Sequence, residues 1–314
     1  MRALVTGAGG FIGSHLVSRL RREGYWVRGV DIKYPLFKES TADVFEILDL
    51  REHSNCMHAL RDIDHVYALA SDMGGMGFIS GNHHEILYNN TLINFHTLEA
   101  ARCHDVEKYF FASTACVYSG DGAFNEGEVY PVNLHDAYSW EKLTAEKLCL
   151  AYGQSVMQGR IRIARLHSVY GPYCRYEGGR EKVVGSLCRK IATAKITKSP
   201  VVEIWGDGQQ ARSFCYIDDC LDGILKIMQS DYQMPFNLGS DRVVLINSLA
   251  DMIAEIAGVE IEKKHIEGPE GVRYRNSDNA LIEALLKWMP KVDLELGLEN
   301  TYRWIENKLI ESSS

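Results

Sequence analysis

Several things are missing from this 314-residue chain, and each absence removes a class of function. No apolar run approaches the ~18 consecutive residues a membrane helix needs. The first apolar residues read directly as a strand, so no signal peptide is expected. The eight cysteines (56, 103, 116, 149, 174, 188, 215 and 220) form no C-x-x-C pair. That leaves neither a disulfide framework nor a zinc site, and it points to reduced thiols and a cytoplasmic protein without a metal. Basic residues are in deficit, 34 Lys and Arg against 42 Asp and Glu, giving a net charge of −8. A nucleic-acid surface is therefore excluded, although a local basic pocket is not. No internal repeat and no long low-complexity stretch interrupts the sequence. What remains is 46% apolar and 24% charged, the balance of a globular enzyme long enough to bury a substantial core.

The N-terminus carries the first positive signal. A short apolar run, Met1 to Thr6, leads into Gly7-Ala8-Gly9-Gly10-Phe11-Ile12-Gly13, and Ser14 to Leu20 continue at helical spacing. Strand, glycine turn and helix in that order let backbone N–H groups approach a pyrophosphate at the helix N-terminus. A second strand, Tyr25 to Val30, ends in Asp31, about 20 residues past the glycines, where a carboxylate binds a ribose 2′-hydroxyl. An acid there favours NAD over NADP. Gly7, Gly10, Phe11, Ile12, Gly13 and Asp31 are thus expected at a cofactor. Asp49 and Leu50, ending a third strand from Val44, are expected beside its adenine.

Alternation continues. Residues 51–61 read as helical, Asp64 to Ala70 as a fourth strand and residues 84–104 as a long helix. A fifth strand runs from Val106 to Ala112 and a sixth from Ile161 to Leu166. This order implies an α/β fold, a doubly wound parallel sheet of the Rossmann type, with ligands beyond the carboxyl ends of the strands. After the fourth strand, Ser71-Asp72-Met73-Gly74-Gly75-Met76-Gly77 has too many glycines for a helix and reads as a flexible loop near a ligand. The fifth strand ends in Ser113-Thr114-Ala115-Cys116, which sets hydroxyls and a thiol at the active edge. Beyond about residue 175 a smaller mixed α/β lobe is expected. Its helices fall near 181–195, 218–230, 246–257 and 293–310, and its strands near 201–205, 235–238 and 261–266. The division is 1–172 for the cofactor domain and 173–314 for most of the substrate lobe, with the chain crossing back.

The pair Tyr138 and Lys142 lies on a helix with Ala137, Leu143, Ala145, Leu148 and Leu150. Positions i and i+4 share a face. The ammonium beside the phenol is expected to lower its pKa and make it a usable base. Alone, this spacing is common on surface helices; beside the glycine turn it gains weight.

Taken together, Thr6 to Gly13, Asp31, Tyr138-x-x-x-Lys142 and Arg165-x-x-x-x-Tyr170-Gly171-Pro172 resemble the extended short-chain dehydrogenase/reductase family, whose members modify nucleotide sugars. Five further segments are similar to its GDP-hexose epimerases: residues 72–79, 113–116, Gly178-Gly179-Arg180-Glu181-Lys182, Trp205-Gly206-Asp207-Gly208 and 269–279. The resemblance implies NAD, GDP-mannose as substrate, oxidation at C4, inversion at C5 and C3, and re-reduction at C4. The product would be GDP-L-galactose, with GDP-L-gulose from inversion at C5 alone. It implies Tyr138 as base for the C4 hydroxyl, Lys142 as its tuning partner on the nicotinamide ribose, and Thr114 on the C4 oxygen. Cys116 and Lys182 are the implied epimerisation pair, the lysine also lowering the thiol's pKa. Gly74, Met76, Gly77, Ala115, Ser168, Glu181, Lys190, Gln210, Arg212 and Arg275 are the implied substrate contacts, with Arg273 a weaker candidate. The two long helices, about 84–104 and 138–155, are implied to pair two subunits as a homodimer. Ser168 departs from the family's asparagine, Ala211 from a threonine and Thr114 from a serine. These changes leave open a 5-epimerase or an enzyme on a related nucleotide sugar. A 4-epimerase, a dehydratase and a silent NAD-binding protein are the alternatives. The Ala115-Cys116 pair, where a dehydratase carries Asp-Glu, weighs against that reading.

Overall fold

The computed structural model describes residues 1–129 and 136–313, the last without its side chain. Seven parallel strands form the main sheet. β1 (Arg2–Thr6), β2 (Trp26–Asp31), β3 (Val44–Ile47), β4 (His65–Ala68) and β5 (Lys108–Thr114) are joined by the strands Ile161–Leu166 and Pro235–Leu238. From edge to edge the order is Pro235–Leu238, Ile161–Leu166, β5, β4, β1, β2, β3. The chain reverses direction across the sheet between β1 and β4, which opens a crevice at their carboxyl ends. Thr6 fixes that crevice: its hydroxyl accepts the N–H groups of Leu69 and Ala70, both at 3.1 Å. Strand interiors such as Ala3-Leu4-Val5 and Tyr109-Phe110-Phe111 are fully buried, as expected for a sheet covered on both faces.

Helices cover the sheet: α1 (Phe11–Arg22), α2 (His53–Ala59), α4 (His83–Cys103) and α5 (Ala137–Gln154), with a single turn, α3 (Met76–Ile79), between β4 and α4. The α5 start is fixed by Asp136, whose carboxylate accepts Ser139 N–H at 2.8 Å and its hydroxyl at 2.7 Å. No helix among the described residues is long and apolar enough to cross a membrane.

The second layer is built around the strand Ala211–Tyr216. It pairs with Val243–Leu245, with Tyr274–Ser277 and with Ser168–Tyr170, and Gly122–Phe124 extends the far edge beyond Tyr274–Ser277. The two layers therefore exchange strands. Pro235–Leu238 comes from the C-terminal half and joins the main sheet, while Gly122–Phe124 comes from the N-terminal half and joins the second. The helix α6 (Val183–Thr197) packs on the last helix, Leu294–Ser313.

Most sequence-based elements stand where expected, and the exceptions have causes. The segment after β4 is not a plain loop, because Met76–Ile79 closes one helical turn. Glycine allows this turn through tertiary contact: Gly75 N–H bonds Arg180 O at 3.2 Å, and a Cβ on Gly75 would lie 2.3 Å from the Glu181 carbonyl oxygen. β5 runs two residues later than expected, through Thr114, since Ser113 and Thr114 still pair with Arg165 and Leu166.

A buried ion pair ties α5 to the sheet. Arg165 and Glu146 are 4% and 1% exposed and lie 2.5 Å apart; Ser113 also donates to Glu146 at 2.9 Å. Removing one partner strands the other's charge. Glu146→Ala is expected to lower unfolding free energy by about 3–5 kcal/mol, measured by urea denaturation.

Candidate active site

One cavity of about 1330 Å³ lies across the carboxyl ends of the main sheet and under the second layer. Every site residue expected from the sequence lines it, except the weaker candidate Arg273. Its cofactor end is the glycine turn. Gly7 has φ +68°, and a Cβ on Gly13 would lie 2.1 Å from the Gly7 carbonyl oxygen, so both positions exclude a side chain. The Asp31 carboxylate accepts Gly9 N–H at 2.9 Å and Lys33 N–H at 3.3 Å, which sets it at the rim of the turn. Burial raises its pKa, while the Gly9 N–H draws it down. Asp49 is held by Arg51 at 2.6 Å, and Leu50 beneath is buried. A carboxylate for a ribose and an uncovered backbone turn for a diphosphate are the features an adenine dinucleotide requires.

At the centre, Thr114 ends β5 and its hydroxyl accepts Cys116 N–H at 3.2 Å. It also hydrogen-bonds the Tyr138 phenol. Lys142 Nζ donates to Ala112 O at 3.3 Å and lies 6.0 Å from the centre of the Tyr138 ring. The expected acidification of the phenol is not what this geometry gives. Tyr138 is only 5% exposed, and burial pushes its pKa well above the ordinary value, with Cys116 and Glu141 adding to the rise. Burial likewise lowers Lys142, against Glu141, which raises it. Desolvation of both groups outweighs a cation standing a full ring away.

Lys182 stands at the first position before α6, in extended backbone at φ −89°. Its side chain lines the cavity and is exposed to that space. The protein around it lowers its pKa by desolvation; Cys116 opposes the drop most strongly, followed by Cys220 and Cys174. Cys116 and Lys182 thus face one another's field across the cavity.

The far end is cationic. Arg212 is held by backbone carbonyl oxygens, Ala211 at 2.8 Å, Arg273 at 3.2 Å and Val272. Burial and then neighbouring Arg275 bring it down to about 10. Arg275 donates to the Tyr118 and Gly120 carbonyls at 3.3 and 3.4 Å. No carboxylate forms an ion pair with either guanidinium among the described residues, so both are left for an anion. Arg273 is different: it pairs with Asp207 at 2.9 Å and Glu270 at 3.2 Å and does not line the cavity. Lys190 donates to Glu203 O at 2.6 Å. Gln210 Nε2 contacts Glu270. Buried polar atoms without a protein partner line the same cavity: the Ser71 and Ser213 hydroxyls, Gln210 Oε1, Glu181 Oε2 and Arg275 Nε. Such orphans are costly unless a ligand satisfies them.

A description of the NAD dependent epimerase/dehydratase family matches residues 3–239. The chain belongs to this family. Its cofactor is NAD, its class of enzyme is isomerase, and its site fits the cofactor as described. Along its length it is similar to GDP-mannose 3,5-epimerase 1 of Oryza sativa subsp. indica, with 43% identity over 98% of this chain and 82% of the relative. It is 42% identical to the GDP-mannose 3,5-epimerase of Arabidopsis thaliana over 98% of this chain and 83% of that one. Its fold matches the UDP-glucose 4-epimerase of Thermotoga maritima, solved with UDP-glucose. The TM-score is 0.87 and the identity 26%, covering 98% of this chain and all of the other. It also matches the UDP-glucuronic acid 4-epimerase of Bacillus cereus, solved with UDP-glucuronic acid and NAD, at TM-score 0.83 and 28% identity over 98% of this chain and all of that one.

Within this family member, sequence reasoning missed Ser71, His167 and Ser213. Ser213 follows Arg212 on a strand that periodicity did not reveal; recognising that strand would have placed it in the wall. His167 is buried beside Asn237, and burial brings its pKa down to about 3. The folded protein therefore rejects a proton that the unfolded chain accepts below about 6.5. Stability is full above that value and is lost as pH falls toward 3. His167→Gln is expected to flatten the acid limb of a melting-temperature profile between pH 6 and 4, and an unchanged limb would remove His167 as its source.

Proposed function

We propose that this protein epimerises GDP-mannose at C5 and C3 to give GDP-L-galactose, with GDP-L-gulose when only C5 inverts. The observation that carries the reading is a thiol, an amine and a tyrosine on one cavity, Cys116, Lys182 and Tyr138, with two guanidiniums at its far end that pair with no carboxylate among the described residues. The 43% identity to a curated GDP-mannose 3,5-epimerase supports the guanine nucleotide.

Each residue then has a task. Arg212 and Arg275 hold the nucleotide diphosphate, and Glu181, Lys190, Gln210 and Ser168 position the sugar and base. Gly74, Met76 and Gly77 bring backbone close to the hexose, and Ala115 keeps the wall behind it shallow. Gly7, Gly10, Phe11, Ile12 and Gly13 cradle the cofactor, Asp31 takes its ribose hydroxyl, and Asp49 and Leu50 flank its adenine. Bound NAD supplies a hydride acceptor at C4 and a donor for the return. Tyr138 takes the C4 hydroxyl proton, and Thr114 holds the oxygen. Lys142 favours the phenolate once the phenol has given its proton up. With a ketone at C4, the protons at C3 and C5 become acidic. Cys116 and Lys182 remove a proton from one ring face and deliver one to the other. The proton ledger closes, because Tyr138 returns its proton to the C4 oxygen.

The protein is further read as a cytoplasmic homodimer with a cofactor domain over 1–172 and a substrate lobe over 173–314. Exposed Leu87, Tyr88 and Phe95 on α4 and Trp140 on α5 support pairing through these helices. A light-scattering mass of one chain would sink it.

NMR of the purified protein with GDP-mannose in deuterated buffer tests the reaction. Deuterium at C3 and C5 with GDP-L-galactose signals is the expected result. Exchange at C5 alone would make the protein a 5-epimerase and point to Ser168. Turnover of a UDP-hexose with no exchange in GDP-mannose would overturn the substrate.

A further inference from the structure

The cofactor end of the cavity carries two cationic side chains, Lys33 and Arg175, that form no ion pair among the described residues. Lys33 is pressed against the glycine turn: its carbonyl oxygen lies 2.2 Å from where a Cβ on Gly9 would stand. Arg175 comes from the other half of the chain, between Ser168–Tyr170 and α6. Its backbone is fixed by α6 itself, since a Cβ on Gly185 would meet the Arg175 carbonyl oxygen at 2.5 Å. Two residues before it, Tyr173 holds a left-handed φ of +66°. Both side chains line that cavity.

Neither head group has a hydrogen-bond or ion-pair partner among the described residues. The nearby charges are otherwise engaged. Arg180 pairs with Asp72 at 2.6 Å and stacks on Phe78 at 3.7 Å. Asp31 accepts two backbone N–H groups on the turn. Among charged groups, Arg175 acts on Lys33 more strongly than Asp31 does. Two like charges on one cavity wall, Lys33 exposed and Arg175 half-buried, repel one another until an anion joins them. The backbone between them, the start of α1, is itself built to receive an anion.

We propose that Arg175 and Lys33 close on the diphosphate of NAD opposite the glycine turn, so that the cofactor is gripped by both halves of the chain. The proposal rests on the family's cofactor and is independent of which sugar is turned over. The substrate's diphosphate has its own cations, Arg212 and Arg275, at the other end. A 2′-phosphate is disfavoured by the Asp31 carboxylate on the same rim. The grip also suits the chemistry: a cofactor restored in every cycle gains nothing by leaving. Arg175 lies seven residues before Lys182, so holding the diphosphate holds the segment that carries the proton-transfer amine.

Calorimetric titration of Arg175→Gln and Lys33→Gln with NAD, ADP-ribose, adenosine, NADP and GDP tests it. Loss of one charge-assisted contact is expected to weaken NAD and ADP-ribose alike, by about tenfold to a hundredfold. Adenosine and GDP should bind as in the wild type, Arg175→Lys should recover part of the loss, and the cofactor-free melting temperature should not move. Unchanged NAD affinity in both variants would overturn the proposal. So would an equal loss for adenosine, a loss confined to NADP, or a loss that falls on GDP.

Discussion

Tyr138→Phe is expected to slow turnover of GDP-mannose by about 10²–10⁴-fold while both NAD and GDP-mannose still bind. The phenol ring is buried and packs with Ile79 and Ile86, so a phenylalanine keeps the packing and removes only the oxygen. What is lost is the acceptor for the C4 hydroxyl proton, without which no ketone forms and neither C3 nor C5 becomes acidic. Deuterium wash-in at C3 and C5 should therefore vanish together with product. The pKa direction adds a second expectation. Burial holds the phenol well above its ordinary value, so the wild-type rate should rise with pH as the phenol is deprotonated. A variant that kept full exchange would remove Tyr138 from the redox step.

The second large effect separates redox from inversion. Cys116→Ala and Lys182→Met are each expected to abolish GDP-L-galactose formation, a loss of at least about 10²-fold, while the reversible step at C4 survives. Inversion needs donor and acceptor on opposite faces of the ring. With one missing, a proton can leave only toward the remaining group and must return from it. One of the two variants should therefore exchange deuterium into the sugar with retained configuration, and the other should not exchange at all. The assay is mass and configuration of recovered GDP-mannose after incubation in deuterated buffer. Continued inversion in both variants would place the proton carriers elsewhere.

How much of this was legible before the structure depended on the range of the interaction. The glycine turn, Asp31 and the strand end at Thr114 follow from local pattern, because a parallel strand delivers its last residues to the active edge whatever its neighbours are. The strand Ala211–Tyr216 was not legible. It holds Arg212 level with Arg275 and pairs Phe214 with Ser168, partners roughly sixty and forty-five residues away. Short partners such as Tyr274–Ser277 are too brief to show a period. The helical turn at Met76–Ile79 was hidden for the opposite reason: its propensity is poor, and contact with Glu181 overrides it. The tyrosine's pKa went astray because spacing gives adjacency along a helix and says nothing of desolvation, which dominates here.

The exchange of strands between the two layers has a consequence for how the chain acquires its shape. A nascent N-terminal half completes neither sheet, since Pro235–Leu238 has yet to emerge and Gly122–Phe124 has nothing to pair with. Cutting the polypeptide near residue 172 should yield two fragments that each expose an unpaired sheet edge and aggregate when made alone, yet assemble when made together.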